Sequence, residues 1–267
     1  MRRLTAAFAA IAVGGPTDSA WLGLLAAIVV AVALSQVLAV VTLRFSADFI
    51  VAGLGINLLS AGGTLFILER FYNSPGGLRP ITFPDIWHIP AGTLSFLPIL
   101  GPAFEGQSLI VVLGLLAVPL CALFLYRTPT GTNLRAAGED EAAARSAGIR
   151  IGAMKALSLA ISGVLAGLAG AQLAMDKLHF FLPDMTSGRG FIGLAATLFG
   201  GGQPWMTAAA SFLFGFFGAL GDRLQVFAIP SQFVLMLPYL AAIIGLTFAR
   251  WRILVRNRPA RIQDNFQ

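Results

Sequence analysis

Residues 21–43 contain no charged side chain, and only Ser35, Gln36 and Thr42 vary an otherwise apolar and small-residue run. Backbone N–H and C=O groups in hydrocarbon must satisfy one another, and a helix needs ~20 apolar residues to cross the bilayer core. A membrane-spanning helix is the structure that such a run predicts. The pattern recurs at 50–68, 107–126, 156–175 and 232–249, and in shorter form at 4–13, 190–199 and 205–220. Only 11% of the 267 residues are charged, against about 25% in a soluble domain. That is too little charge to coat a water-facing surface. The predicted fold class is all-α: one transmembrane domain over 1–267, a polytopic helical bundle with short half-helices.

The basic residues cluster where apolar runs end, which sets orientation rather than a nucleic-acid surface. Segment 127–155 holds Arg127, Arg135, Arg145, Arg150 and Lys155, and the tail holds Arg250, Arg252, Arg256, Arg258 and Arg261. Both are predicted cytoplasmic, and Arg44 agrees. The proline- and aromatic-rich connection 69–105 carries only Arg70 and Arg79, which places it outside, with 176–189 and 221–231. Residues 190–199 rise only ~15 Å, half a bilayer core. They read as a half-helix that dips in from outside, and the following "GGGQP" either lines a cavity or makes a plain interfacial turn. Segment 4–13 is too short to span; Arg2 and Arg3 precede it, and because the next span begins outside they would sit at the wrong end of a half-length helix. It reads as a chain that begins partway through a larger design.

Few residues offer chemistry. Gln36, Asn57 and Gln172 are the uncharged polar groups deepest in the spans, and Gln203 lies in the glycine turn. They are the candidates for a translocation pathway, although each could equally make one interhelical hydrogen bond of about 1 kcal/mol. The absence of an ionisable residue within a span argues against an ion-coupled carrier. His88 and His179 match no zinc spacing. Neither a G-x-S-x-G nor a Walker A loop occurs, so no catalytic residue, metal or cofactor is assigned to this chain. The lone Cys121 excludes an internal disulfide. In "SGVLAGLAGA", Ser162, Ala166 and Gly170 form one small-residue stripe and Gly163, Gly167 and Ala171 its neighbour. Such stripes let helices approach closely in lipid, for static packing or against a moving partner.

Segment 127–155 is the exception to the apolar pattern. Residues 136–147 are alanine-rich, with Glu139, Asp140 and Glu141 early and Arg145 late, an order that suits the helix macrodipole. A short helix is predicted, capped upstream by Thr132 or Asn133 and stopped by Gly148. Composition leaves open whether it is a solvated connection or a contact surface.

"GEDEAAARSAGI" resembles the cytoplasmic loop of ABC-importer permeases of the branched-chain amino acid/ribose/nucleoside type, where the pattern runs G-x-N-P-x-A-A-R-x-A-G-I. Gly138, Ala143, Ala144, Arg145, Ala147, Gly148 and Ile149 fall on it, while Asp140 and Glu141 stand in place of Asn-Pro. "FIVAGLGINLL", "TSGRGFIGLAATLFGG" and "IPSQFVLMLPYLAAII" resemble further segments of that family. The likeness is strongest to its simple-sugar and nucleoside subgroup. Members of that family start earlier, and Met1 falls near a methionine of their G-L-E-G-M-type segment.

The resemblance implies the permease subunit of an ATP-driven importer for a nucleoside or simple sugar. It would lie in the bacterial inner membrane, multi-pass, with a cytoplasmic C-terminus. Implied partners are an ABC ATPase that binds ATP and Mg, a second permease in a hetero- or homodimer, an extracytoplasmic solute-binding lipoprotein and a small polar solute. Gly138, Glu139, Asp140, Glu141, Ala143, Ala144, Arg145 and Gly148 would form the ATPase-coupling surface. The alternatives are a branched-chain amino acid permease or a truncated, non-transporting membrane scaffold. The charge asymmetry predicts that cysteines introduced near Arg145 and Arg256 react with impermeant maleimide only from the cytoplasm, and one near Pro84 only from outside. Labelling near Arg145 from outside would reverse the orientation.

Overall fold

The computed structural model describes residues 2–74, 76–79, 86–90, 106–183, 185–186 and 189–224. The apolar run 232–249, the basic tail and most of 80–105 lie outside the described residues. The chain divides into two compact units, 1–188 and 189–267, taken separately below. Every regular element among the described residues is helical. Among the described residues, five helices are long and apolar enough to cross a membrane.

The first unit opens with α1 (Arg2–Thr17) and α2 (Ala20–Arg44), followed by α3 (Phe49–Tyr72). Ser19 caps α2 and Asp48 caps α3 by accepting its first amides. Helix α4 (Leu109–Arg127) carries Pro119 inside it. Two short helices, α5 (Pro129–Glu139) and α6 (Glu141–Ser146), lead to α7 (Ile151–Ala171), which runs on as a π-helical turn, Gln172–Leu178. Helices α2 and α7 lie antiparallel. Gln36 Nε2 donates to Ala156 O near the start of α7, while a Cβ on Gly167 would sit 2.7 Å from Ile28 Cα. The C-terminus of α2 therefore shares one end of the unit with 127–155, here the loop end, and Ala20 lies at the far end.

Glycine makes that pairing close. A Cβ on Gly163 would lie 2.8 Å from Val32 Cα and 2.7 Å from Ser35 Oγ. Across from them Ala27, Ala31 and Ser35 are fully buried. Both small-residue stripes thus pack within this chain: Gly163 and Gly167 meet α2, and Gly170 meets Ala6 of α1.

The segment expected at 4–13 is a 16-residue helix, Arg2–Thr17, and the most deeply enclosed element of this unit. Ala6 and Ala10 pack with Leu24, Ala27, Ala31, Ala171 and Met175. On its other side Leu4, Ala7, Phe8 and Ile11 meet Leu68, Ala174 and Phe181. The Phe8 ring stands edge-on to Phe181 at 5.3 Å between centroids. At the far end, residues 78 and 181 exchange backbone hydrogen bonds, and His88 Nε2 lies 3.1 Å from Asp176 Oδ1 in the π turn.

In the second unit α8 (Arg189–Phe199) and α9 (Pro204–Leu224) form a helical hairpin. Gly201 and Gly202 turn with φ of +56° and +73°, a region that favours glycine. Phe199 and Phe214 meet at 5.7 Å across the hairpin. The first piece has the half-length expected. The second, expected to be short, runs 21 residues from Pro204, because Pro suits a first helical position and residues 221–224 add another turn.

Replacing Gly167 by Leu should force α2 and α7 apart, and overpacking of this kind costs typically 1–3 kcal/mol. The expected result is a lower melting temperature in detergent. Gly114→Ala on α4, where an added Cβ meets nothing within 4 Å, should not lower it.

Candidate functional site

The charged loop folds as two helices rather than the single one expected over 136–147. Thr128, not Thr132 or Asn133, caps the first: its Oγ1 accepts from Gly131 N at 3.0 Å and donates to Phe124 O at 2.6 Å. Pro129 takes the first helical position. Gly131 is buried against α4, where a Cβ would lie 2.7 Å from Leu125 Cα. Arg135 lies 4.7 Å over the Tyr126 ring and 4.0 Å from Glu139.

Asp140 breaks the helix because its backbone turns extended, at φ −148° and ψ 107°. Its carboxylate then accepts from Ala142 N at 2.8 Å and Ala143 N at 3.1 Å, as an N-cap does. Glu141 begins α6 and pairs with Lys155, the fifth residue of α7. At the other end Gly148 N donates to Arg145 O and Ile149 N to Ala144 O, with Gly148 at φ +81°. That is a Schellman stop, and it confirms the expected role of Gly148. Ala137, Ala144 and Ile151 close a small core beneath, joined by Ile149 and Met154.

The predicted coupling residues therefore separate. Gly138, Glu139, Asp140, Glu141, Ala143, Arg145 and Gly148 are exposed, whereas Ala144 is buried under its own loop. Asp140 and Glu141 also hold the loop together, while Ala143 and Arg145 project from it.

The pathway candidates are not gathered at one place. Gln36 spends its amide on Ala156 O at 3.2 Å. Gln172 starts the π turn, about 24 Å farther along α7 at 1.5 Å per residue. Asn57 is half-buried on α3 and makes no side-chain hydrogen bond among the described residues. Three residues on, the Ser60 hydroxyl is buried without a partner. Gln203 is exposed at the start of α9, in the second unit. Sequence reasoning missed Thr128, Lys155, Ser60 and the His88–Asp176 contact. Only Thr128, standing before Pro129, carried a local signal. No group of potential metal ligands occurs among the described residues.

Long apolar helices zipped by glycine, with an ordered charged elbow between two of them, define a multi-pass membrane protein that presents a preformed surface beside the apolar layer. The chain belongs to the family described as the permease component of branched-chain amino acid transport systems, which matches residues 4–248. It is 35% identical over 237 residues to the guanosine ABC transporter permease protein of Bacillus subtilis, covering 85% of this chain and 72% of the relative. It is 34% identical over 231 residues to the nucleoside ABC transporter permease protein of Lactococcus lactis, with the same coverage. A Haloferax volcanii protein provisionally named as a glucose ABC transporter permease is 32% identical over 83% of this chain and 67% of its own length. No solved structure matches the chain significantly. The protein is a permease subunit of the ABC-importer class, as the motifs implied.

Removing the cap should loosen α6. Asp140→Ala is expected to speed hydrogen exchange at the Ala142 and Ala143 amides, with a loss of about 1 kcal/mol. Asp140→Asn, which keeps an acceptor, should retain most of the protection.

Proposed function

We propose that this chain is the membrane-spanning subunit of an ATP-driven importer that carries a nucleoside inward. The carrying observation is the likeness over 85% of the chain to permeases named for guanosine and nucleosides. The likeness to a protein provisionally named for glucose supports a second reading, a simple sugar. The two solutes share hydroxyl-rich rings, and an extracytoplasmic binding protein would make the selection before delivery.

In this reading a second permease completes the pathway, the loop end faces the cytoplasm, and the membrane is the bacterial inner membrane. A partner ATPase binds ATP and Mg and grips the surface of α6. Ala143 supports that role because a small exposed side chain lets a groove wall approach, and Arg145 offers an exposed cation beside it. Asn57 is the pathway residue that this reading favours: its amide sits inside an apolar helix and makes no side-chain hydrogen bond among the described residues. It could exchange bonds with ribose hydroxyls as the solute passes.

Uptake of a nucleoside and sugar panel by the reconstituted complex tests the solute. Ala143→Trp should leave membrane abundance and melting temperature unchanged, since this side chain is exposed. It should weaken ATPase association and abolish solute-stimulated ATP hydrolysis. Asn57→Leu should lower uptake without loss of assembly. Full uptake by the Ala143→Trp variant would reduce the loop to a solvated connection.

A further inference from the structure

At the far end of the first unit a cleft of about 220 Å³ opens among Asp18, Trp21, Leu24, Ile86, Trp87 and Ile110. We propose that it holds the ammonium headgroup of a membrane phospholipid, with Asp18 as counter-ion and the two indoles flanking the cation. This goes beyond transport and does not depend on which solute is carried.

The depth fits. Trp21 is the second residue of α2 and Ile110 the second of α4, so the cleft lies where two apolar helices begin. Tryptophan concentrates at that level, between hydrocarbon and water. The charge fits as well. Asp18 is exposed and makes no ion pair among the described residues. Among the described residues no basic side chain lines the cleft, and the Asp18 carboxylate offers a counter-charge to a cation. Trp21 and Trp87 are 59% and 58% exposed and do not stack on each other. Indole faces attract ammonium groups through their quadrupole, most strongly of all aromatic side chains.

The surroundings favour a lipid over a soluble cation or nucleoside. The floor is apolar, with Leu24, Ile86 and Ile110 all buried. From Trp21 the same face of α2 continues through exposed Leu25 and Val29, four residues apart and thus in line on a helix. An acyl chain has a track there; a nucleoside would find one carboxylate for its many polar groups. The turn that holds Asp18 is built in: its φ is +49°, its N–H donates to Gly15 O, and Ser19 beside it caps α2.

The test uses the assembled transporter in nanodiscs of equal phosphatidylethanolamine and phosphatidylglycerol, with retained lipids counted by native mass spectrometry. The wild type should retain phosphatidylethanolamine over phosphatidylglycerol by roughly five-fold, the order of a cation–π contact. Asp18→Asn should lower the ratio, leaving only the share that the indoles contribute. Asn also tolerates the left-handed backbone, so an unchanged melting temperature verifies the fold. Trp21→Ala and Trp87→Ala should each lower the ratio. Parity in the wild type, or an undiminished ratio in Asp18→Asn, overturns the proposal. Release of the retained lipid by guanosine would overturn it too, by making the cleft a solute site.

Discussion

The close approach of α7 to α2 governs the first unit. Lipid tails are as apolar as leucine, so burying leucine against leucine gains little in a membrane; helices hold together by contact density and by hydrogen bonds. Gly163 and Gly167 bring the α7 backbone against Ala27, Ala31 and Ser35 of α2, leaving no room for a Cβ. Helix α1 depends on the same geometry from both sides. Gly170 on α7 admits Ala6, and Gly23 on α2 admits Ala10 O and Gly14. Helix α1 can therefore be the most enclosed helix of the unit. Its own small residues fill the space that two glycine-bearing helices leave.

Polar side chains in the apolar layer divide by what they do with their hydrogen bonds. Thr42 donates to Leu38 O and Thr64 to Ser60 O, each one turn back in its own helix. Such bonds silence a hydroxyl without recruiting a partner. Gln36 reaches across to Ala156 O and so acts as a tie between helices. Among the described residues, Asn57 and Ser60 retain capacity on the face of α3 that carries Thr64 and Leu68 toward the bundle. Position along a span alone does not separate these cases, because residues at similar depth have different partners.

That explains what the sequence made legible. Charge-free runs defined α2, α3, α4 and α7, because length and apolarity alone decide whether a helix can live in hydrocarbon. The Gly148 stop was readable because it needs only local chemistry. The break at Asp140 was not, because alanines on both sides favour one continuous helix. It emerges when the carboxylate turns back onto the Ala142 and Ala143 amides. The enclosure of α1 was hidden because it depends on Gly23 and Gly170, far away in sequence. The pair His88–Asp176 lies 88 residues apart, and no spacing rule reaches that far. Of the pathway residues, Gln36 was readable as polar and deep, but its commitment to Ala156 O was not.

The loop illustrates how different chemistry gives one local shape. Where the resembling motif has Asn-Pro, this chain has Asp140 and Glu141. Asn and Asp both cap, and Pro and Glu both suit the first turn, the one by a preset φ and the other by its charge toward the helix N-terminus. The exchange leaves the cap and adds a link: Glu141 reaches Lys155 on α7. Both partners are about half-exposed, so that pair contributes at most ~1 kcal/mol and is weakened by salt. The cap, the Schellman stop and the Ala137–Ala144–Ile151 core carry most of the order. An α6 that is already fixed in place loses little further freedom when a partner docks on it. Because Ile151 roots that core in the first turn of α7, a push on α6 has a packed route into the helix that α2 grips through Gly163 and Gly167.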